Sequence, residues 1–205
     1  MKNQEVYNIF DTHFKESLLE LGFKKSGHKY TMMISGDLRF VFNIQPDKWG
    51  WFEKDGGRFT YSLMPIYKKW SAFGFVGIQV QFGDVIERRP GLAKDIAACM
   101  NQYNNKLPGS TMRRLAHRWT ENKVVKDIDS WFFYYDEKDV NAWQELLKPF
   151  MLDLIKEDID ILKSTDTKLF EESINQDAQY ATMYVDLETG KSALIDKETD
   201  EKIKN

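Results

Sequence analysis

HKYTMMISGDLRFVFNIQ, residues 28–45, decides the fold class. Its two aromatic-rich runs, His28–Ile34 and Leu38–Gln45, alternate apolar with polar positions, and Ser35-Gly36-Asp37 between them is turn chemistry. Alternation places every second side chain on one face of a pleated strand, so the stretch predicts a β-hairpin. Outward on the C-terminal side, a loop holding Pro46, Gly50, Gly56 and Gly57 leads to two more strand-like runs, Arg58–Tyr67 and Ala72–Phe82. Four consecutive strands with polar turns predict an antiparallel meander with one face left for a helix.

That helix is predicted upstream, over residues 4–21, where Val6, Phe10, Phe14, Leu18 and Leu21 recur at helical spacing. Gly22 supplies its stop, and Phe23 can fold back on the last turn. Beyond Pro90-Gly91, the residues Leu92, Ile96, Cys99, Met100 and Tyr103 predict a second helix, ended by Asn104-Asn105 and Leu107-Pro108-Gly109. Residues 110–128 read equally well as helix or strand. Trp131–Tyr135 is a short buried-strand run, and Asp136 is an N-cap with Asp139 in the first turn of a further helix. That helix runs through Trp143, Leu146 and Leu147, and its period resumes at Met151, Leu154, Ile155, Ile159 and Leu162. Pro149 is expected to kink or interrupt it, at a cost of about 3 kcal/mol. The expectation is an α+β fold: an N-terminal helix packed on an antiparallel β-meander, with further helices and a C-terminal hairpin. Residues 1–165 form a single domain, and residues 166–205 an extension with a hairpin, Ala181–Leu187 and Lys191–Ile195 about Glu188-Thr189-Gly190, and a charged tail. A lone hairpin is marginal, so this one must pack on the body or on another chain.

Composition narrows the function classes. In 205 residues, 42% hydrophobic and 30% charged side chains provide a core and argue against wholesale disorder. A single cysteine, Cys99, excludes an internal disulfide and a cysteine-based zinc site. No stretch is apolar enough for a signal peptide or a membrane span, which predicts a soluble, cytoplasmic chain. The net charge of −3 hides an asymmetry: residues 1–120 carry a balance of +7 and residues 121–205 one of −10. Either the two parts attract each other or the basic part faces an anionic partner.

LLELGFKKSGHKYT, RFVFNIQPDKWG and FTYSLMPIY together resemble the start of the uncharacterised bacterial family numbered 4304 among the domains of unknown function. The corresponding elements are Leu21-Gly22-Phe23-Lys24-Lys25, Asn43-Ile44-Gln45 and Trp49-Gly50, and the passage Trp131–Leu147 resembles the family's C-terminal part. The resemblance spans roughly residues 4–165 and departs at Phe59–Ile66, where Tyr-Ser-Leu-Met-Pro replaces an Asn-Leu-Gly style strand. It implies an α+β fold and, for some such domains, immunity or partner binding in bacterial conflict systems. It carries over no catalytic residue.

Candidate chemistry thins out on inspection. Gly190-Lys191-Ser192 ends like a phosphate-binding loop, but the motif needs a glycine at position 185, which is Val, and the residues after Ser192 do not read as the helix it needs. His13, His28 and His117 lack metal-ligand spacing, and Cys99 lies on an apolar helix face beside Ile96 and Met100 as a buried, inert thiol. No catalytic residue, metal site or cofactor is therefore expected.

Three clusters are candidates for binding. In Lys48-Trp49-Gly50-Trp51-Phe52-Glu53-Lys54 with Arg58, Trp49 and Trp51 either stack on a ligand or fold over the sheet. Tyr67-Lys68-Lys69-Trp70 follows in the same style. Arg113, Arg114 and Arg118, with His117, Lys106 and Lys123 nearby, suit a phosphate or carboxylate, or else pair with the acidic C-terminal helices. Asp153, Glu157 and Asp160 share one helical face, solvated or turned to a basic partner. The reading that follows is a non-enzymatic protein that binds a protein partner, of immunity type. A nucleic-acid-binding module built on the aromatic and basic loop is the alternative, and a small-molecule enzyme with a dispersed site the second.

Overall fold

A computed structural model describes residues 1–67, 70–71, 79–109, 118–127, 130–169, 182–185, 192–196 and 201–202. In α1 (Asn3–Glu20) the apolar stripe becomes a buried one: Val6, Phe10, Phe14 and Leu18 are all inaccessible. The helix stops where Gly22 adopts φ +94°, a left-handed conformation that penalises a Cβ. Gly22 N–H then donates to the Leu19 carbonyl and Phe23 N–H to that of Leu18, so two carbonyls of the last turn are satisfied. Phe23 packs back into the core, as its position after the glycine predicts.

Strands β1 (Lys24–Ser26), β2 (Lys29–Ser35), β3 (Leu38–Pro46) and β4 (Gly57–Tyr67) follow as neighbours, each antiparallel to the last. Ser35 pairs with Leu38, so Gly36 and Asp37 close the hairpin. Leu38, Phe40, Phe42 and Ile44 of β3 and Phe59, Tyr61 and Leu63 of β4 point to one face and are fully buried. On that face Phe10 meets Phe42 with ring centroids 5.6 Å apart, and Phe14 meets Tyr61 at 6.0 Å. The opposite face carries a smaller apolar group, Val41, Ile66 and Met64.

The outer edge of β4 is covered piecewise, which removes unpaired backbone groups from an eleven-residue strand. Strand β7 (Phe132–Tyr134) pairs with Gly57–Phe59, β6 (Gln79–Val80) with Tyr61 and Ser62, and β5 (Trp70–Ser71) with Ile66 and Tyr67. The C-terminal hairpin, β8 (Thr182–Val185) and β9 (Ser192–Asp196), joins the same sheet, since β8 pairs with β5 at Tyr184 and Trp70. A last short strand, β10 (Glu201–Lys202), pairs with β9.

The long helix α5 (Glu137–Ser164) starts where expected. Asp136 accepts a hydrogen bond from the Asp139 N–H while the Asp139 carboxylate reaches back to the Asp136 N–H. Trp143 buries against Phe132 at 5.2 Å and donates its indole N–H to the Phe133 carbonyl at 2.7 Å, which locks α5 to β7. The α+β architecture, with its N-terminal helix on a meander, further helices and a C-terminal hairpin, is thus as the sequence predicts. Among the described residues no helix is long and apolar enough to cross a membrane.

Three details differ. The expected strand Ala72–Phe82 is not continuous to Phe82, because α2 (Phe82–Arg88) begins there; residues 72–78 lie outside the described residues. Phe82, Val85 and Ile86 bury at helical spacing, and the Asp84 carboxylate accepts from the Gln81 N–H at the helix start. Pro149 does not interrupt α5, which runs unbroken through 28 residues. Pro149 and Glu145, the residue whose carbonyl loses its donor, both face solvent, while Leu147, Phe150 and Met151 stay buried. Water can serve that carbonyl, and breaking the helix would unpack the buried side. Strand β1 was not foreseen, since all three of its residues are exposed and show no alternation. Of the ambiguous 110–128 stretch, Glu121–Lys126 is helix α4, capped by the Thr120 hydroxyl, and residues 110–117 lie outside the described residues. Helix α3 (Ala93–Lys106) enters through a 3-10 turn at Pro90–Leu92.

Candidate binding site

The β3–β4 connection, residues 47–56, is a loop fixed from all sides. Asp47 begins it, accepting from Arg58 Nε at 2.5 Å and from the Trp49 N–H at 3.1 Å, while the Gly50 N–H donates to the Asp47 carbonyl at 2.9 Å. Burial by itself would raise the Asp47 carboxyl, but the Trp49 N–H and the Arg58 guanidinium hold it below the usual carboxylate range. At the far end Phe52 and Gly56 exchange backbone hydrogen bonds of 2.9 and 2.6 Å. Gly56 sits at φ +69°, and a Cβ there would lie 2.4 Å from the Tyr134 carbonyl oxygen, so only glycine fits this turn.

Distant elements add further braces. The Trp51 indole N–H donates to the Tyr135 carbonyl at 2.8 Å and its ring packs edge-on against Tyr135. The Tyr103 hydroxyl donates to the Asp55 carbonyl at 2.6 Å, and the Tyr135 hydroxyl to that of Glu53 at 3.1 Å. In spite of this anchoring, Trp49 remains 67% exposed and Phe52 53% exposed. The loop therefore holds two large aromatic rings in water on an ordered backbone. Around them stand Asp47, Glu53 and Asp55 against Lys48, Lys54 and Arg58, a balanced set of charges. The Lys48 ammonium lies 5.0 Å from the centre of the Trp49 ring.

The residues singled out in the sequence divide accordingly. Trp49 is a presented ring, Trp51 is a brace, and Arg58 is engaged by Asp47 and stacked over Trp131 at 5.0 Å. Tyr67 is buried, whereas Lys68 and Lys69 lie outside the described residues, as do Arg113, Arg114 and His117. Arg118 is exposed, and Lys106 is spent on α5, where it meets Asp136 at 2.7 Å and Asp139 at 2.6 Å. In the acidic row Asp153 pairs with Arg89 at 2.7 Å and Glu157 pairs with Arg88, both in the open, and Asp160 is exposed. These contacts join the basic part of the chain to the acidic part.

His13 bonds Asn141 at 2.9 Å and His28 stacks on Tyr7 at 3.9 Å, so the two rings serve separate contacts. Among the described residues no three His, Cys, Asp or Glu converge on a metal-sized site. Cys99 is half-buried against the core, and burial together with Asp139 and Asp95 pushes its thiol up to about 12, away from nucleophilic use. The sequence reading missed the braces Asp47, Tyr103 and Tyr135, because the last two lie 48 and 82 positions from the carbonyls they hold. It also missed Asp158, a carboxyl only 3% exposed on α5, although an acid inside the apolar row of Ile155, Ile159 and Leu162 was a readable signal.

No family model matches the chain, and no match is found among curated proteins or solved structures.

Proposed function

We propose that this chain is a non-enzymatic binding protein that docks a protein partner through the 47–56 loop, with Trp49 and Phe52 as the anchors. One observation carries the reading: two large rings stay in solvent on a loop whose backbone is held by Asp47, Trp51, Tyr103 and Tyr135. Aromatic side chains dominate binding hot spots, and a prefixed backbone spares the ordering entropy that weakens association. The balanced charge of the loop favours a protein over a nucleic acid, because a phosphate backbone would meet as many carboxylates as cations. The acidic row on α5 is the weaker candidate, since Arg88 and Arg89 already occupy two of its three carboxylates. A cytoplasmic, immunity-type role and membership of the 4304 family belong to the same proposal, motivated by the sequence resemblance.

The test is to isolate the bound protein from source cells, purify it and titrate it against the parent chain and single variants. Trp49→Ala is expected to weaken the complex by about 30-fold, the worth of a hot spot of about 2 kcal/mol, and Asp160→Lys to leave it unchanged. Recovery of nucleic acid that is released steeply by salt, or unchanged affinity in both Trp49→Ala and Phe52→Ala, would overturn the proposal.

A further inference from the structure

A cavity of about 250 Å³ opens where the 47–56 loop meets the C-terminal half of α3 and the start of α4. At about 30 Å³ per water it has room for roughly eight, and it falls just below the pockets of about 300 Å³ and more that take drug-sized ligands. A single ring with a short side chain matches that size. Met100, Tyr103, Leu107, Trp119 and Phe133 give it apolar walls. Its charged lining is uneven, with Lys54 and Lys123 against Asp55. Among the described residues no carboxylate pairs with either lysine, whereas Lys25, Arg58, Arg88, Arg89 and Lys106 all have such partners. Lys123 is instead held 4.3 Å over the Trp119 ring, which fixes an ammonium at the apolar wall while leaving its charge uncompensated.

We propose that this cavity binds a small molecule made of one ring-sized apolar body and one carboxylate, the ring against Trp119 and Phe133 and the anion on Lys123 and Lys54. Burying the ring removes apolar surface from water, and an anion gives Lys54 and Lys123 the carboxylate that neither has among the described residues. A neutral analogue gains only the first contribution, and a cationic one is repelled. The proposal does not depend on the protein-docking role of Trp49 and Phe52, which do not line the cavity. The same chemistry is offered by a free aryl acid and by a peptide ending in phenylalanine.

The experiment is a chemical-shift titration of the full chain at low ionic strength with 3-phenylpropionate, 3-phenylpropanol and phenethylamine. A short peptide ending in free or amidated phenylalanine forms the second arm. The carboxylate is expected to saturate with a Kd on the order of 1 mM or tighter, shifting the signals of Trp119 and Phe133. The alcohol should bind about tenfold more weakly, the amine more weakly still, and the free peptide should outcompete 3-phenylpropionate only if the natural source is a chain terminus. Lys54→Gln, at an exposed position that leaves the fold intact, and Lys123→Gln should each cost several-fold, and Trp49→Ala nothing. Equal binding of acid, alcohol and amine, unchanged affinity in both lysine variants, or no shift at Trp119 and Phe133 would overturn the proposal.

Discussion

Asp158 is a carboxyl set among Leu154, Ile155, Ile159 and Leu162 on the buried side of α5, and its Oδ2 has no hydrogen-bond partner among the described residues. Burial outweighs the attraction of Arg88, Glu157 adds repulsion, and the group is pushed up to about 7. In the unfolded chain it titrates near the ordinary value of about 3.9, so between the two values the folded state holds a proton that the unfolded state has lost. Stability therefore falls as pH rises from about 4 to 7 and stays lower above that window. Asp158→Asn is expected to be close to neutral at pH 3, below both values, where the acid is largely protonated in the folded and the unfolded chain alike. At pH 8 it should raise the melting temperature by several degrees, from a gain of up to about 4 kcal/mol. Equal destabilisation at both pH values, read by thermal melts, would contradict this account. Phe14 lies at the other extreme of legibility. Its helical spacing announced it, it is fully buried against Phe10, Phe42 and Tyr61, and Phe14→Ala should cost about 3–5 kcal/mol in urea unfolding.

At the scale of elements, the loop 47–56 divides its aromatic rings between packing and exposure. Trp51 folds over Tyr135, while Trp49 and Phe52 stay outside. Local pattern could mark the glycines and aromatics but not this division of labour, because the deciding contacts come from Tyr103 on α3 and Tyr135 beyond β7. Helix α2 was hidden for a related reason: its seven residues carry only one apolar turn, following a run that reads as strand. Pro149 does not end the helix, because the buried side of a 28-residue helix outweighs one lost hydrogen bond, which local propensity alone does not weigh. Gly56→Ala should cost about 1–3 kcal/mol from the left-handed backbone alone, and more from the clash with Tyr134. Trp49→Ala, by contrast, should leave the urea midpoint unchanged, a pair of outcomes that separates the scaffold of the loop from what it presents.

Across the whole molecule, the charge asymmetry legible in the sequence finds its first outlet inside the chain. Arg88, Arg89 and Lys106 from the basic part meet Glu157, Asp153, Asp136 and Asp139 from the acidic part. The Arg88 and Arg89 pairs are solvent-exposed, where such contacts contribute about 0–1 kcal/mol. Asp153→Asn with Glu157→Gln, which removes both pairs, should accordingly lower stability by no more than about 2 kcal/mol, with the difference shrinking as salt is added. The fold was readable because period-two and helical patterns persist over its long elements, but the pairing of β7, β6 and β5 along one edge of β4 is a long-range fact with no local signature. The central claim, that the fixed loop presents Trp49 and Phe52 to a protein partner, is tested most directly by titrating the purified partner against parent, Trp49→Ala and Phe52→Ala chains at low and physiological salt. We predict a loss of about 30-fold for Trp49→Ala that changes little with salt, because the anchor is an apolar ring. Affinity that is unaltered in both variants, or that depends on salt alone, would contradict it.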